Sequence, residues 1–360
     1  MKQKYNVGII GAGNISQLHI SAYKKIPNVN VRSIADTNKN NLITTSKKWE
    51  IENVYDDYKK ILNDPKIDIV EILTPHYLHS EMFIEAIDQK KHVSVQKPMA
   101  ISNEECMSMI NKSKSNKEIK SRIFDNFLYY PPYLKAKELI SRGEIGEIRS
   151  IRLKSIIGEP NDKSNSLKLG LKDAGKNWRF DETLSGGGKI LFDYGYHIFS
   201  IAYDLLGDIK KISSFVDETV LEAGSKIDCP GIIMWDYGNG KHGSWDIVRS
   251  NEIDINSDFF NEDEWYEITG TKGFIWVNRC SGNVLDTPAL IIFNNGKSSK
   301  KKFSSNDLNW SSSFDYGIRN FVDSIENNFD SKLSPKEGKK VFDFCKSAKE
   351  SSESGLSIVL

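Results

Sequence analysis

The stretch YNVGIIGAGNIS, from Tyr5 to Ser16, contains the pattern that determines the predicted fold. Its first part is mostly apolar and predicts a buried strand, and the glycines that follow lead directly into a helical pattern. Gly11 permits the tight turn, and Gly13 lets a pyrophosphate approach the backbone at the positive end of the helix. Ser16 occupies the third position of the fingerprint and is still small enough for close packing. The backbone expected to bind a dinucleotide runs through Gly11, Gly13, Asn14 and Ile15.

Asp36 follows the second apolar strand pattern, Val29–Ala35, where the acidic residue of the dinucleotide-binding fingerprint belongs. A carboxylate there accepts hydrogen bonds from the adenosine ribose hydroxyls and repels a 2′-phosphate. The next two residues, Thr37 and Asn38, carry no positive charge that would attract that phosphate. We therefore predict NAD as the cofactor in preference to NADP. The alternative is that Asp36 only caps the next helix.

Strand and helix patterns alternate through the first third of the chain with short connections between them. This alternation predicts a doubly wound parallel sheet with right-handed crossovers. We place a dinucleotide-binding (Rossmann) domain at residues 1–123 and a second domain at 124–360. The expected strands are Tyr5–Ile10, Val29–Ala35, Ile67–Leu73 and His92–Val95, and the expected helices are Ile15–Lys25, Asn38–Trp49, His79–Gln89 and Asn103–Lys114.

After Phe124 the pattern changes to short strand-like runs with turns rich in Gly, Asn and Asp between them. Such turns favour antiparallel hairpins, so we predict an α+β domain in which helices flank a mostly antiparallel sheet. The stretch Glu159–Lys176 lacks periodicity and is expected to be a loop, either a lid or a surface insertion. The expected strands are Lys211–Asp217, Ile232–Tyr237, Gly243–Arg249, Trp265–Thr269, Phe274–Val277 and Ala289–Phe293, and the expected helices are Pro132–Ser141, Asp193–Leu206, Phe314–Asn327 and Lys336–Glu350.

The composition of the 360 residues is that of a globular protein and argues against several functional classes. The 49 Lys and Arg residues balance 49 Asp and Glu residues, which gives no general attraction to nucleic acid or to a membrane. No apolar run is long enough to cross a bilayer, and the N-terminus lacks the features of a signal peptide. The four cysteines are far apart, which argues against a disulfide framework or a zinc site. We therefore expect a soluble, cytoplasmic protein that needs no metal.

Two further segments carry side chains suited to acid–base chemistry. Lys97, in Gln96-Lys97-Pro98, follows an apolar strand at the carboxyl edge, where doubly wound sheets bind ligands. Its ammonium group can share protons with a substrate hydroxyl, although an isolated lysine is usually a solvated surface charge. Asp193 and His197 are four residues apart, so on one α-helix they share a face. The carboxylate can then orient the imidazole; the alternatives are a helix cap for Asp193 and a packed core histidine for His197.

Together these segments resemble the glucose–fructose oxidoreductase/inositol dehydrogenase family (Gfo/Idh/MocA), and the resemblance covers essentially the whole chain. In that family a nucleotide-binding domain is followed by an α/β domain with a large open sheet. The resemblance implies an NAD-dependent oxidoreductase that transfers a hydride between nicotinamide and a hydroxyl-bearing carbon of a sugar-like substrate. The segments that carry it are Gly11–Ser16, Thr74–His79, Gln96–Pro98, Pro132–Lys137, Gly143–Gly146, Trp178–Arg179, Gly186–His197 and Lys346–Leu360.

The same resemblance implies roles for individual residues. Lys97, Asp193 and His197 form the catalytic set. Trp178 and Arg179 are expected near the cofactor or substrate, with a packing anchor as the alternative for Trp178. The residues expected on the nicotinamide side are Thr74, Pro75, His79, Gln96 and Lys97, and the alternative for His79 is a residue that only starts a helix.

The sequence departs from the family pattern at two places. The usual Glu-Lys-Pro is Gln-Lys-Pro, so Gln96 keeps the ability to form hydrogen bonds but lacks a charge. Four residues separate the glycine run Gly186–Gly188 from Asp193, where three are more common. The second departure leaves the geometry of this loop open.

The resemblance leaves the substrate and two other functions open. Relatives accept inositols, free sugars and nucleotide-linked sugars, some hydrolyse glycosides with tightly bound NAD, and some are non-catalytic sugar sensors. Lys97, Asp193 and His197 argue against a sensor, which does not need all three. We also expect a homodimer or homotetramer joined through the sheet of the second domain. The apolar strand residues behind this expectation are Ile232, Ile233, Trp235, Trp245 and Trp276.

Overall fold

The computed structural model describes residues 4–159, 177–220, 226–255, 261–279 and 285–360. The predicted loop Glu159–Lys176 therefore lies, from residue 160 onward, outside the described residues. Contacts divide the described chain into two compact units, which are described one at a time. The first contains residues 4–126, 177–187 and 314–342, and the second contains 127–159, 188–220, 226–255, 261–279, 285–313 and 343–360.

A six-stranded parallel sheet forms the centre of the first unit. Its strands are β1 (Tyr5–Ile10), β2 (Val29–Ala35), β3 (Asn53–Tyr55), β4 (Ile69–Ile72), β5 (His92–Gln96) and β6 (Ser121–Phe124). Their order across the sheet is β3-β2-β1-β4-β5-β6, and all neighbouring pairs in that sheet are parallel. This is the doubly wound order of dinucleotide-binding domains, so the predicted fold of the N-terminal part is confirmed.

Helices connect these parallel strands, as the alternation in the sequence predicts. They are α1 (Ser16–Lys24), α2 (Lys39–Trp49), α3 (Lys59–Leu62), α4 (His79–Asp88) and α5 (Asn103–Lys114). The sequence analysis does not identify β3 or β6. The first has only three residues, and Arg122 interrupts the apolar pattern of the second.

The described part of the second unit has eleven strands, nine of which form one large sheet, and they come mostly from the second half of the chain. They are β7 (Ile148–Glu159), β8 (Lys211–Val216), β9 (Thr219–Val220), β10 (Lys226–Ile227), β11 (Gly231–Gly238), β12 (Lys241–Asp254), β13 (Glu262–Gly270), β14 (Gly273–Arg279), β15 (Leu290–Asn294), β16 (Lys297–Lys300) and β17 (Ile358–Val359). The order is β16-β15-β14-β13-β7-β12-β11-β8-β17, while β9 and β10 pair separately. Within the sheet β7 and β12 run parallel and the other pairs are antiparallel, which confirms the predicted mostly antiparallel sheet.

The remaining helices are α6 (Pro131–Ser141), α7 (Glu182–Ser185), α8 (Gly195–Leu206), α9 (Ser305–Leu308), α10 (Ser312–Glu326) and α11 (Pro335–Ser354). A π-helix, Lys189–Tyr194, runs directly into α8. Phe199 of α8 stacks on Phe344 of α11 with ring centroids 4.3 Å apart, and Trp235 and Trp245 pack edge-on against this pair. One face of the large sheet is therefore covered by α8 and α11. None of the helices in the described ranges is long and apolar enough to cross a membrane.

Segments from late in the sequence belong to the first unit. The Arg122 guanidinium of β6 donates to the carbonyl oxygen of Gly317 in α10 at 2.6 Å, and its Cζ lies 4.5 Å from the ring centroid of Phe321. The Ile123 amide donates to the carbonyl oxygen of Leu333 at 2.8 Å. The chain thus returns to the nucleotide-binding unit after building most of the large sheet. The division at residues 123 and 124 stays a prediction about the order of domains along the sequence.

Candidate cofactor and catalytic site

The two glycines of the first turn have different physical roles. Gly11 has a φ of +105°, and a Cβ added there would lie 2.7 Å from the carbonyl oxygen of Leu73. A side chain at this position would therefore be strained in any rotamer. At Gly13 no described atom lies within 4 Å of an added Cβ, so this glycine leaves open space beside the start of α1. The first glycine is needed for the turn itself, and the second leaves room for a ligand.

The N-terminus of α1 fits the anionic pyrophosphate of a dinucleotide. Among the described side chains none caps this helix at Ile15, and the Oδ1 atom of Asn14 is buried with no hydrogen-bond partner. Uncapped helix N-termini attract anions, and a buried acceptor without a donor is costly unless a ligand supplies one. Ser16 is fully buried and its hydroxyl donates to the carbonyl oxygen of Gly13 at 2.7 Å. The serine in the third fingerprint position therefore reinforces the turn.

Asp36 is held directly against this turn. Its Oδ2 accepts from the amide of Ala12 at 2.6 Å, and its Oδ1 accepts from the amide of Asn38 at 2.7 Å. The side chain that caps α2 is Asn38, which accepts from the next amides of that helix. The alternative that Asp36 is the helix cap is therefore not what the structure shows. Each carboxylate oxygen has a further lone pair that can accept a ribose hydroxyl.

His79 contacts both of the segments that the sequence predicts beside the nicotinamide, Thr74-Pro75 and Gln96-Lys97-Pro98. It begins α4 and is fully buried, with Nδ1 2.8 Å from the carbonyl oxygen of Pro98 and Nε2 2.9 Å from that of Thr74. These contacts tie the Thr74-Pro75 turn to the Lys97-Pro98 turn. A buried ring cannot present an open surface, so any effect of His79 on a cofactor acts through these backbone segments.

The backbone of Lys97 is fixed on both sides. Its amide donates to Oε1 of Gln96 at 2.9 Å and lies 3.2 Å from the carbonyl oxygen of Phe124, and the peptide bond to Pro98 is cis. The lysine is half-buried at the carboxyl end of β5. This is the sheet edge at which the sequence predicts a ligand.

Trp178 and Arg179 lie in a short 3-10 helix, Asn177–Phe180, that belongs to the first unit. The indole of Trp178 meets the ring of His76 edge-on, with centroids 4.5 Å apart, and the Arg179 guanidinium lies 4.4 Å from the indole centroid. The residues therefore pack beside the Thr74–His79 segment. This packing fits the alternative of an anchor for Trp178, and a place near the cofactor or substrate stays a prediction.

Asp193 and His197 belong to the second unit, and the helix that carries them differs from the prediction. A single α-helix from Asp193 is wrong: Asp193 lies in the π-helix, while His197 lies in α8. The wider π turn changes the angle between successive side chains, so α-helical spacing does not describe this pair. Asp193 is 8% exposed. The imidazole of His197 lies flat on Phe127, with ring centroids 4.0 Å apart and 9° between planes.

Asp228 anchors the start of this π-helix, and the sequence analysis does not identify it. Its carboxylate accepts from the amides of Ile190 at 2.8 Å and Leu191 at 2.7 Å. A Cβ on Gly188 would overlap that carboxylate, which explains the third glycine of the run. Burial raises the pKa of Asp228, while the two amide donors act in the opposite direction. The glycine run indicates that some group packs closely against it. The sequence does not show that this group is Asp228, which is 38 residues from Ile190.

Comparison with known proteins agrees with this geometry. Residues 5–122 match the model of an oxidoreductase family with an NAD-binding Rossmann fold, and residues 133–276 match the model of the GFO/IDH/MocA C-terminal domain. Levoglucosan dehydrogenase of Pseudarthrobacter phenanthrenivorans is 30% identical over 302 residues, which cover 77% of this chain and 74% of that protein. Myo-inositol 2-dehydrogenase of Thermotoga maritima is 23% identical over 98% of both chains.

The same fold is found in solved structures. A levoglucosan dehydrogenase in complex with NADH and levoglucosan superimposes with a TM-score of 0.84 at 23% identity, over 99% of both chains. An oxidoreductase of Agrobacterium radiobacter in complex with NAD+, L-tartaric acid and magnesium gives a TM-score of 0.81 at 20% identity, over 99% of this chain and 98% of the other. At these sequence identities the two solved structures show that the fold is shared and no more.

Alanine at the two turn glycines should separate folding from cofactor binding. We expect Gly11→Ala to lower the free energy of unfolding by about 1–3 kcal/mol, because the methyl group meets Leu73 at a positive φ. Gly13→Ala should leave stability near that of the wild type and weaken NAD binding about tenfold or more, because its methyl group occupies the space beside the helix N-terminus. Urea unfolding and NAD titration of both variants measure the two effects. Equal NAD affinity of Gly13→Ala and the wild type would contradict this assignment.

Proposed function

Because the chain belongs to the Gfo/Idh/MocA family of NAD-binding oxidoreductases, we propose that it oxidises a secondary alcohol carbon of a sugar, inositol or nucleotide-sugar-like substrate. The observation that carries the proposal is the geometry of the first turn. There the Asp36 carboxylate accepts a hydrogen bond from the Ala12 amide, beside the open space at Gly13. The names of the relatives, levoglucosan dehydrogenase and myo-inositol 2-dehydrogenase, support a polyol as the substrate class.

In the proposed reaction the substrate hydroxyl loses its proton as a hydride leaves the same carbon. His197 accepts the hydroxyl proton, and Asp193 orients the imidazole and stabilises its protonated form. Lys97 holds the hydroxyl oxygen and offsets the negative charge that develops on it. NAD, when bound, supplies the carbon that accepts the hydride. The products are then a carbonyl compound, reduced cofactor and one proton.

The placement of each residue within its own unit supports these roles. Stacking on Phe127 limits rotation of the His197 ring, which a base in a fixed direction requires. The Asp193 carboxylate is buried, so its interaction with a neighbouring charge is weakly screened. The hydrogen bonds of the Lys97 amide fix the direction in which its side chain leaves the backbone.

Incubation with NAD and a panel of polyols tests the proposed function. The panel contains levoglucosan, inositols, free sugars and nucleotide-linked sugars, and nicotinamide absorbance is followed. We expect saturable formation of NADH with at least one member. Sugar release from a glycoside without net NADH would instead indicate a glycosidase, and sugar binding without any turnover would indicate a sensor.

We also propose that the protein is a homodimer or homotetramer joined through the face of the large sheet opposite α8 and α11. Three of the residues first considered cannot take part, because Ile233, Trp235 and Trp245 are at most 3% exposed and face the covered side. On the side of β8, β11 and β12 opposite these helices, the described residues include the apolar Phe215, Ile232, Met234 and Val248, which are 39–68% exposed. Neighbouring exposed apolar residues of this kind are typical of interfaces.

A charge in this apolar patch should dissociate the assembly. We expect Ile232→Glu to shift the mass measured by light scattering at micromolar concentration toward that of the monomer, because a buried unpaired carboxylate is costly. Leu308→Glu is the matched control, since Leu308 is equally exposed, at 43% against 42%, and belongs to the helix α9 instead of a strand of the sheet. A wild-type monomer under the same conditions would rule out the proposed assembly.

A further inference from the structure

A cluster of polar side chains lies inside the first unit, below the carboxyl end of β5. Its centre is Glu71 of β4, which is fully buried. The Glu71 carboxylate accepts from the hydroxyl of Tyr23 at 2.6 Å and from the hydroxyl of Ser94 at 2.9 Å. Nδ1 of His19, which is also fully buried, lies 3.2 Å from Oε1 of Glu71 without forming a hydrogen bond to it. An acid in an apolar interior is retained only when such partners compensate its charge.

Arg122 supplies the balancing positive charge. Its Nε donates to the same Ser94 hydroxyl at 3.0 Å, and its guanidinium stacks near Phe124, with Cζ 4.7 Å from the ring centroid. Burial raises the pKa of Tyr23 well above its usual range; Glu71 raises it further, and Arg122 lowers it. Tyr23 is therefore a neutral donor at physiological pH. The cluster thus joins one carboxyl group and one guanidinium group through the Ser94 hydroxyl.

The surroundings of His19 determine which ring nitrogen carries the hydrogen. Oε1 of Gln96 accepts from the amide of Lys97, so the other end of the Gln96 side chain is the NH2 group. This group lies 3.4 Å from Nε2 of His19. Because an amide nitrogen only donates, Nε2 must accept, and the ring hydrogen lies on Nδ1 facing Glu71.

We propose that His19 is a positioning residue for Gln96 and, through it, for Lys97. The Nε2 lone pair of His19 holds one end of the Gln96 amide, and the Lys97 N–H group holds the other. Glu71 acts through His19, because a carboxylate oxygen 3.2 Å from Nδ1 favours the tautomer that carries its hydrogen there and leaves Nε2 free to accept. The effect on catalysis rests on the proposed role of Lys97, whereas the tautomer of His19 does not depend on any activity.

The tautomer can be measured directly in the wild-type protein. With ¹⁵N-labelled histidine, NMR distinguishes a protonated from a bare ring nitrogen, and His19 is assigned among the six histidines by the loss of its signals in His19→Asn. For the neutral ring we expect hydrogen on Nδ1 and a bare Nε2, with and without NAD. The charged and titratable groups that bear on the ring are Tyr23, Glu71, Arg122 and, beyond Gln96, Lys97. A neutral ring with its hydrogen on Nε2 overturns the proposal.

Two variants separate positioning from simple packing. His19→Asn keeps a donor toward Glu71 but loses the acceptor for Gln96, and we expect kcat to fall about tenfold while the Kd of NAD changes little. Tyr23→Phe, the control, removes the hydrogen bond from Tyr23 to Glu71 and leaves Gln96 untouched, so it should lower the Tm without lowering kcat. Equal kcat losses in the two variants, or none in His19→Asn, contradict the proposal.

A conservative variant covers the case in which His19→Asn does not fold. His19→Gln can place a carbonyl oxygen near the position of Nε2, and we expect it to keep more of the wild-type kcat than His19→Asn or His19→Ala. If His19→Gln is as slow as His19→Ala, the acceptor has no role. If the wild type oxidises no polyol at all, the proposed function fails, and the tautomer measurement still decides the placement of His19.

Discussion

Replacement of Lys97 or His197 with alanine is expected to lower kcat by about two orders of magnitude or more. Lys97→Ala removes the group that holds the substrate oxygen, and His197→Ala removes the acceptor of its proton. NAD should still bind, because the glycine turn and Asp36 lie apart from both substitutions in sequence and are unchanged. Steady-state kinetics and NAD titration of the purified variants measure the two quantities separately.

The ring of His197 also packs on Phe127, so alanine removes packing together with chemistry. His197→Phe is the matched control, since it keeps an aromatic ring beside Phe127 but has no nitrogen to accept a proton. We expect it to be as slow as His197→Ala and more stable. In the wild type, oxidation should increase with pH as His197 becomes neutral. Near-normal turnover of both Lys97→Ala and His197→Phe would show that these residues are structural.

Loss of NAD binding in Lys97→Ala would be a different failure. It would make Lys97 an anchor for the nicotinamide, and the change in kcat would no longer identify a role in proton handling. Lys91→Met is a useful comparison, because the Lys91 ammonium also lies in the first unit and donates to the carbonyl oxygens of Asp64 and Ile67. That variant should lose stability and keep its kcat.

The wild type is expected to prefer NAD(H) to NADP(H), and Asp36→Ala should weaken this preference. Loss of a charged hydrogen bond to the ribose should cost about 2 kcal/mol, roughly 30-fold in kcat/KM with NAD. Use of NADP should rise, because the carboxylate that repels the 2′-phosphate is gone. The comparison is kcat/KM for the two cofactors in the wild type and in the variant.

Asp36→Asn removes the charge but keeps part of the local structure. The asparagine oxygen can accept from the Asn38 amide, whereas the NH2 group cannot replace the oxygen that accepts from the Ala12 amide. If repulsion of the 2′-phosphate determines the preference, Asp36→Asn and Asp36→Ala should both gain activity with NADP. Equal or better use of NADP by the wild type would end the assignment of Asp36.

The first sheet could be predicted from sequence because the patterns that determine it lie within short segments of the chain. The turn at Gly11 and Gly13 joins a strand to a helix within a dozen residues, and the apolar runs repeat with helices between them. The strand β7 was missed even though its residues alternate: Ile151 and Leu153 are buried, while Arg152 and Lys154 are exposed. It lies in the middle of the large sheet, between β12 and β13, and neither neighbour follows it directly in the chain.

The residues that hold the candidate site residues in place could not be predicted, because their hydrogen-bond partners are distant in sequence. His19, Glu71 and Arg122 follow no regular spacing in the sequence, and only the packing of α1 against β4 and β6 of the parallel sheet brings them into one cluster. Asp228 reaches the π-helix from 38 residues away. In each case the residue is polar or charged, so the sequence predicts that it is exposed. Its burial depends on tertiary contacts, which the composition does not reveal.

Transfer of deuterium tests the central claim most directly. A polyol found active in the panel is labelled with deuterium at the reacting carbon and incubated with the protein and NAD, and the reduced cofactor is analysed by mass spectrometry. The account predicts NADH that carries one deuterium, a carbonyl product, and loss of both in Lys97→Ala and His197→Phe. Unlabelled NADH, or label retained in a hydrolysed sugar without net NADH, would contradict direct hydride transfer from a hydroxyl-bearing carbon.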